Sequence, residues 1–310
     1  MDISKRGRRV DNGYVTATVS PEIAEKTGLP IGCKICVVTL DQCCSPFGSG
    51  MVNDGDTVIV MGTFGACYIC SDKLLRIPNS TLTWKSHLYF ENGVKNYTAE
   101  SLSFASDSAY RWFRDVICTK EIADAKAQGV DTYELINELV ATSVPGARGV
   151  TFLPFLQGRS HNHIGIDSNI NMTSTFTGMR MSTVRADLAR AVAEGIAYEM
   201  RDIMNVEKEH GLHPKNISVT GCVTKIPVLC QIVADIFGEE VTILETSANG
   251  CLGAAMFAGI GVGVYKDPYE AAARAVRIKN TYKPNSDNKE AYDEGYKRFV
   301  KTYQGLESAL

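Results

Sequence analysis

Three apolar, β-prone runs in this 310-residue chain pass directly into glycine-centred segments. They read VIVMGTFGA from Val58, ISVTGCVTKIP from Ile217 and ILETSANGCLGAAMFAGIG from Ile243. One such junction is an ordinary turn, since glycine serves turns everywhere. Three of them constrain the chain more tightly. Glycine lets backbone approach a ligand closely, and N–H groups at a loop or helix start suit phosphate oxygens. Upstream, VVTLDQCC carries an apolar run into the carboxylate of Asp41. An α/β sheet presents its catalytic groups at such strand ends.

The remaining pattern alternates strand and helix. A strand is expected over Tyr14–Val19. Ser20-Pro21-Glu22 supplies an N-cap, a first-turn proline and an acidic first turn for a short helix that stops at Gly28. Lys34–Leu40 reads as a strand, and TVIVM with ACYICS reads as a hairpin closed by the glycine turn. Leu102, Ala105, Ala109, Trp112, Phe113 and Val116 recur at helical spacing, which predicts a helix over Ser101–Val116. A long helix over Ser182–Val206 follows from the stripe Val184, Leu188, Val192, Ile196 and Met200. NISVTG, residues 226 to 237, EVTIL and residues 249 to 260 continue as strand, helix, strand and helix. Tyr292, Tyr296, Phe299 and Tyr303 form an aromatic stripe that belongs to a core. The fold class is α/β, mixing hairpin strands with crossover helices.

Bulk properties bound the function. The chain is long enough for two domains, and 45% hydrophobic with 22% charged residues is an ordinary globular composition. A net charge of -3 leaves no electrostatic footprint for nucleic acid or an anionic membrane, and Lys5-Arg6-Arg8-Arg9 reads as a solvated terminus. There is no apolar run of the ~20 residues a membrane span needs and no signal-peptide pattern, so a cytoplasmic location is expected. The Asn-x-Ser/Thr triplets at Asn79, Asn96, Asn171 and Asn216 are then chance matches, and the ten cysteines reduced thiols.

Two features invite a metal. Cys33-Lys-Ile-Cys36 and Cys67-Tyr-Ile-Cys70 have zinc spacing. Both lie in β-prone runs, where residues i and i+3 point to opposite faces, so neither pair can share an ion. His161 and His163 sit two apart in a polar stretch without a third ligand in sight. No metal ligand is assigned, and the cysteines are read as small packing groups.

Taken in order, these segments resemble the C-terminal part of the FGGY carbohydrate kinases, relatives of actin and hexokinase. TVSPEIAEKTGLPIG and LDQCCSPFGSGMVNDGDT resemble the stretch around the catalytic Asp-Gln. MGTFGA resembles the second phosphate loop. VTFLPFLQGR with TFTGMRMSTVRADLARAVAEGIAYEMRD resembles the mid-domain signature. VTGCVTKIPVLCQIVADIFG resembles the adenosine motif, and SANGCLGAAMFAGIGVGVY the second connecting helix. The resemblance runs from about Thr18 to Tyr303, with motif spacing that is xylulokinase-like.

The resemblance implies a ribonuclease H-like (actin-like ATPase) domain, with a mixed sheet flanked by helices, and ATP with Mg2+ as cofactors. The substrate would be a ketose or polyol, whose hydroxyl attacks the γ-phosphorus while Asp41 takes its proton. Gly62, Thr63 and Gly65 would meet the β- and γ-phosphates, and Gly178 would lie against the nucleotide. Gly221, Cys222, Val223 and Lys225 would line the adenosine pocket. Residues 1–44 would be the tail of the family's first domain and residues 45–310 the nucleotide-binding domain. The first domain's Asp-Gly-Thr loop has no counterpart in residues 1 to 30, so the missing N-terminal kinase domain is an expected partner. The uncovered surface favours partner binding or a homodimer. A non-catalytic nucleotide- or partner-binding remnant is the alternative.

Three departures accompany the resemblance. Val38-Thr39-Leu40 stands where the family places glycines, Cys222-Val223-Thr224 replaces a glycine-rich adenosine run, and Gly158 is followed directly by Arg159. Side chains at Cys222 and Val223 narrow the room for adenine.

Overall fold

The computed structural model describes residues 10–75, 82–90, 93–159 and 171–309. The basic cluster near the N-terminus, Asn79 and the histidines of the Ser160–His163 stretch lie outside the described residues.

The chain opens with β1 (Tyr14–Thr18), α1 (Pro21–Thr27), β2 (Lys34–Val37) and α2 (Asp41–Gly48). Four strands follow, β3 (Asp56–Met61), β4 (Gly65–Ser71), β5 (Thr83–Tyr89) and β6 (Lys95–Ser103). Then come α3 (Asp107–Val116), α4 (Thr119–Gln128) and α5 (Thr132–Thr142). A short pair, β7 (Thr151–Leu153) and β8 (Thr175–Thr177), precedes the long α6 (Arg185–Glu209). The chain closes with β9 (Lys215–Gly221), α7 (Pro227–Phe237), β10 (Val241–Leu244), α8 (Asn249–Gly261), α9 (Pro268–Ala275), β11 (Ile278–Tyr282) and α10 (Lys289–Glu307).

One seven-stranded sheet, ordered β11-β10-β9-β3-β4-β6-β5, organises the molecule. β3, β9 and β10 run parallel, and the outer pairings are antiparallel. The sheet is therefore mixed, as expected, with crossover helices feeding its parallel centre. On one face the core joins Ile59, Met61, Cys67 and Ile69 of the central hairpin to α3, α5, α6, α7 and α10. On the other face Val58, Ala66, Tyr68 and Cys70 pack with Met51, while α2, α8 and α9 share a separate cluster around Phe47 and Phe257. Cys67 and Cys70 thus lie on opposite faces, as strand geometry requires. Among the described residues, no group of three or more His, Cys, Asp or Glu side chains is placed to hold an ion.

Several boundaries differ from the sequence reading. Ser101–Ser103 belong to β6, and α3 begins only at Asp107. Strand pairing takes these residues, because Ser101 and Ser103 pair with Cys67 and Gly65 of β4. Their hydroxyls donate to Glu207 and Glu199 of α6, both at 2.7 Å. Leu102 faces the other side of the sheet, so its helical spacing from Ala105 is coincidental. The strand expected over Lys34–Leu40 ends at Val37 and pairs only with β1, in a separate two-stranded ribbon. α6 is shifted towards the C-terminus, with Val184 at its N-cap. Residue 44, where the resemblance sets the end of the first domain's tail, stands within α2.

α2 and α8 cross in near-backbone contact. A Cβ on Gly253 would sit 1.9 Å from the Cys44 carbonyl oxygen, and one on Gly48 would sit 2.0 Å from that of Asn249. Gly253 of the third sequence segment therefore serves helix packing against α2. Among the described residues no helix is long and apolar enough to cross a membrane.

Candidate functional site

The parallel strands β3, β9 and β10 end at the same edge of the sheet. There the three glycine-centred segments converge: the Gly62–Phe64 turn, the Gly221–Lys225 turn and the approach to α8. This is the edge at which open α/β sheets bind ligands. Met61 pairs with Gly221, which holds φ at +106°, and a Cβ there would lie 2.2 Å from the Met61 carbonyl oxygen. Only glycine allows that approach.

The β3–β4 turn is braced by α3. Asp107 N–H donates to the Gly62 carbonyl at 2.7 Å, and the Ser108 hydroxyl donates to that of Thr63 at 2.8 Å. Gly62 N–H is engaged inside the turn, donating to the Phe64 carbonyl at 3.2 Å. The N–H and hydroxyl of exposed Thr63 have no protein partner among the described residues, which leaves both available to an anion. Gly65 lies beneath the turn, and a Cβ on it would meet Met200 Cε at 2.7 Å and Ser103 Cβ at 3.1 Å.

Beside this edge opens a cavity of about 700 Å3. Met61, Ala193, Ile196, Leu229, Ile232 and Val233 supply apolar lining, and Cys222, Val223 and Lys225 line it from the β9–α7 turn. The volume falls in the range of small-molecule sites. α3 and α5 contribute Asp107, Tyr110, Arg111, Arg114, Tyr133 and Asn137. Tyr110 and Tyr133 stack with centroids 5.8 Å apart and planes 11° from parallel, and Arg114 lies over the Tyr133 ring at 4.9 Å. The Tyr110 hydroxyl donates to Asn137 Oδ1 at 2.9 Å. Burial, then the neighbouring Asp107 carboxylate, pushes the Cys222 thiol up from its ordinary range. Lys225 is exposed and forms no ion pair among the described residues.

The expected residues divide accordingly. Gly62, Thr63, Gly221, Cys222, Val223 and Lys225 gather around one edge and one cavity. Gly178 lies outside the cavity lining; it turns the chain after β8 at φ +76°, with the Gly149 carbonyl 2.2 Å from where a Cβ would be. Asp41 stands exposed in the first turn of α2, on the layer that holds α8, and its Oδ1 accepts the Gln42 N–H at 2.9 Å. Lys85 Nζ reaches Gln42 Oε1 at 2.8 Å and also pairs with the buried Glu100. The α3 residues were missed because Ser101–Val116 was read for its apolar stripe alone, and the α5 residues because no element was expected over residues 132 to 142. The signal was Asp107, Tyr110, Arg111 and Arg114, a polar and aromatic stripe at i, i+3, i+4 and i+7.

Residues 58–262 match the model of the FGGY family of carbohydrate kinases, C-terminal domain. The xylulose kinase of Staphylococcus epidermidis is 25% identical over 293 residues, covering 94% of this chain and 55% of that protein. The autoinducer-2 kinase of Escherichia coli is 27% identical over 298 residues, covering 95% and 54% respectively. The crystal structure of xylulose kinase from Rhodospirillum rubrum superposes with a TM-score of 0.80 at 25% identity, over 96% of this chain and 57% of that one. The Plasmodium falciparum glycerol kinase solved with ADP superposes at 0.76 with 18% identity, over 94% and 55%, a likeness of fold. The chain spans about half the length of the curated relatives it matches. With its mixed, helix-flanked sheet it has the actin-like ATPase fold of these kinases and belongs to the FGGY family of carbohydrate kinases.

Proposed function

We propose that this chain is the nucleotide-binding part of an ATP-dependent carbohydrate kinase of xylulokinase-like type. The observation that carries the reading is the meeting of the Gly62–Thr63 turn and the Cys222–Lys225 turn beside a cavity lined largely by apolar groups, at the carboxyl edge of β3 and β9. An adenosine moiety would occupy the cavity. Its phosphates would lead past Lys225 to the free N–H and hydroxyl of Thr63, with Gly62 and Gly65 shaping the turn. The reaction would move the γ-phosphoryl group to a hydroxyl of a ketose or polyol.

Asp41 would act as general base towards that hydroxyl. One carboxylate oxygen is held by the Gln42 N–H, and the other has no partner among the described residues. Positioning and modest basicity suffice for a base when the nucleophile is held in line. Mg2+ would enter as the counter-ion of ATP, and the described residues of this chain offer no carboxylate cluster of their own for it. The residues that position metal and sugar would come from the part of the family fold that these 310 residues do not span, with residues 1–44 as its tail and residues 45–310 as the nucleotide domain. A cytoplasmic location fits such a role.

Titration calorimetry of the chain with ADP and ATP tests nucleotide binding, and a phosphorylation assay with the family's N-terminal domain supplied tests transfer. Asp41→Asn is expected to lower restored turnover at least 100-fold while leaving ATP affinity within about twofold. Unchanged turnover would remove Asp41 from the role of base. A second reading, a nucleotide-binding remnant without catalysis, is favoured by the side chains at Cys222 and Val223 and by the Asp107 carboxylate beside the phosphate turn. Binding without transfer, even with the first domain present, is its signature.

A further inference from the structure

Most of the cavity wall is apolar or charged at the rim, and one neutral amide interrupts it. Asn137, on α5, lines the cavity one helical turn beyond Tyr133. Its Oδ1 is occupied by the Tyr110 hydroxyl at 2.9 Å. Burial raises the Tyr110 phenol far above its ordinary range, so the hydroxyl keeps its proton and remains a donor. A phenol O–H that donates to the amide oxygen fixes which way the amide points. Asn137 Nδ2 then carries two N–H donors with no protein partner among the described residues. Stacking of Tyr110 on Tyr133 and the cover of Arg114 leave this arrangement little freedom.

We infer that Asn137 is the base-reading residue of the nucleotide cavity, donating to a ring nitrogen acceptor of a bound purine, with Tyr110 as the positioning residue that sets its amide. The inference rests on the nucleotide reading of the cavity. A purine presents unprotonated ring nitrogens along its edges. Ile196, Leu229 and Ile232 contribute the apolar surface that such a ring needs on its faces. A polar group that a ligand covers acts mainly as a discriminator, because a ligand without the matching partner leaves it unpaired, and half-buried Asn137 would be covered in this way.

The test is titration calorimetry on the full chain with ADP, inorganic tripolyphosphate as a ligand without a base, and IDP as a purine with an altered edge. Asn137→Leu removes the donors at similar volume and should weaken ADP about tenfold while leaving tripolyphosphate unchanged. Tyr110→Phe keeps the ring stack and frees the amide to flip, so the ratio of ADP to IDP affinity should shift several-fold with a smaller loss for ADP. Far-UV circular dichroism and thermal midpoints of both variants check folding, and tripolyphosphate binding provides a second control on the same sample. ADP binding to Asn137→Leu within twofold of the parent overturns the assignment and leaves the nucleotide reading standing. Tripolyphosphate binding without any ADP preference in the parent chain overturns both.

Discussion

Two antiparallel strand pairs in this molecule each follow or contain a Cys-x-x-Cys, and they have opposite fates. In the β3–β4 hairpin all seven residues of β4 are buried, and Cys67 and Cys70 join different cores. In the β1–β2 ribbon no strand residue is buried, α1 between them buries none, and Cys33 and Cys36 are half-exposed. Ile31, Ile35, Val37 and Leu40 remain exposed there, whereas Ile59 and Ile69 of the hairpin are fully enclosed. The difference does not lie in the motif or in strand propensity. The hairpin has β9 and β6 as paired neighbours and helices on both faces, while the ribbon touches the body mainly through α8.

The largest effect that could break this comparison is on stability. Ile59→Ala should cost about 3–4 kcal/mol, since the side chain is fully buried in the main core. Ile35→Ala, at 43% exposure, should stay within about 0.5 kcal/mol. Urea unfolding of both variants measures the contrast, and equal losses would mean that the ribbon is a working part of the isolated fold.

Next in size is a pH effect confined to the hairpin side. Glu207 is fully buried on α6, accepting from the Ser101 hydroxyl at 2.7 Å and the Cys67 thiol at 3.2 Å, with no cation paired to it among the described residues. Burial pushes its carboxyl up to about 7, and that of Glu199, held by Ser103, equally to about 7. A carboxyl raised in the folded state binds more protons there than in the unfolded chain. Its contribution is therefore complete below the ordinary carboxylate pKa and is lost as pH rises to about 7. Each group should lower stability by up to about 1.4 kcal/mol per pH unit within that window. Glu207→Gln should flatten the decline between pH 5 and 7, as read from urea midpoints, and an unchanged slope would show that the group is already ionised in the fold.

The smallest effect is chemical. Cys67 and Cys70 have thiols raised by burial first and by nearby carboxylates second, while Cys33 and Cys36 are accessible on the ribbon. An alkylating reagent followed by peptide mass spectrometry should label Cys33 and Cys36 within minutes and spare Cys67 and Cys70 until the protein unfolds. Rapid labelling of Cys70 would mean that its side of the hairpin opens locally.

Much of this was legible beforehand. The α6 stripe, the glycine turns and the aromatic face of α10 are local patterns, and Val192, Tyr292 and Phe299 are buried as those patterns require. The helix start at Asp107 was not legible, because Ser101 and Ser103 answer to partners on β4 and α6 that lie far off in sequence. Nor was the reason for several glycines: Gly65 yields to Met200 and Gly253 to the backbone of α2.

By itself the sequence determined the α/β class, the opposite facing of Cys67 and Cys70, and the resemblance carried by three strand-to-glycine junctions. These depend on periodicity and on residue types close together in the chain, where each residue's neighbours are fixed by the bond that joins them. Only the tertiary structure decided that Met61 and Gly221 lie side by side, that α3 and α5 close the cavity with Tyr110 and Asn137, and that one Cys-x-x-Cys is enclosed while the other is not. Such contacts depend on which strand pairs with which and on which helix covers which face, and those pairings join residues tens to more than a hundred positions apart.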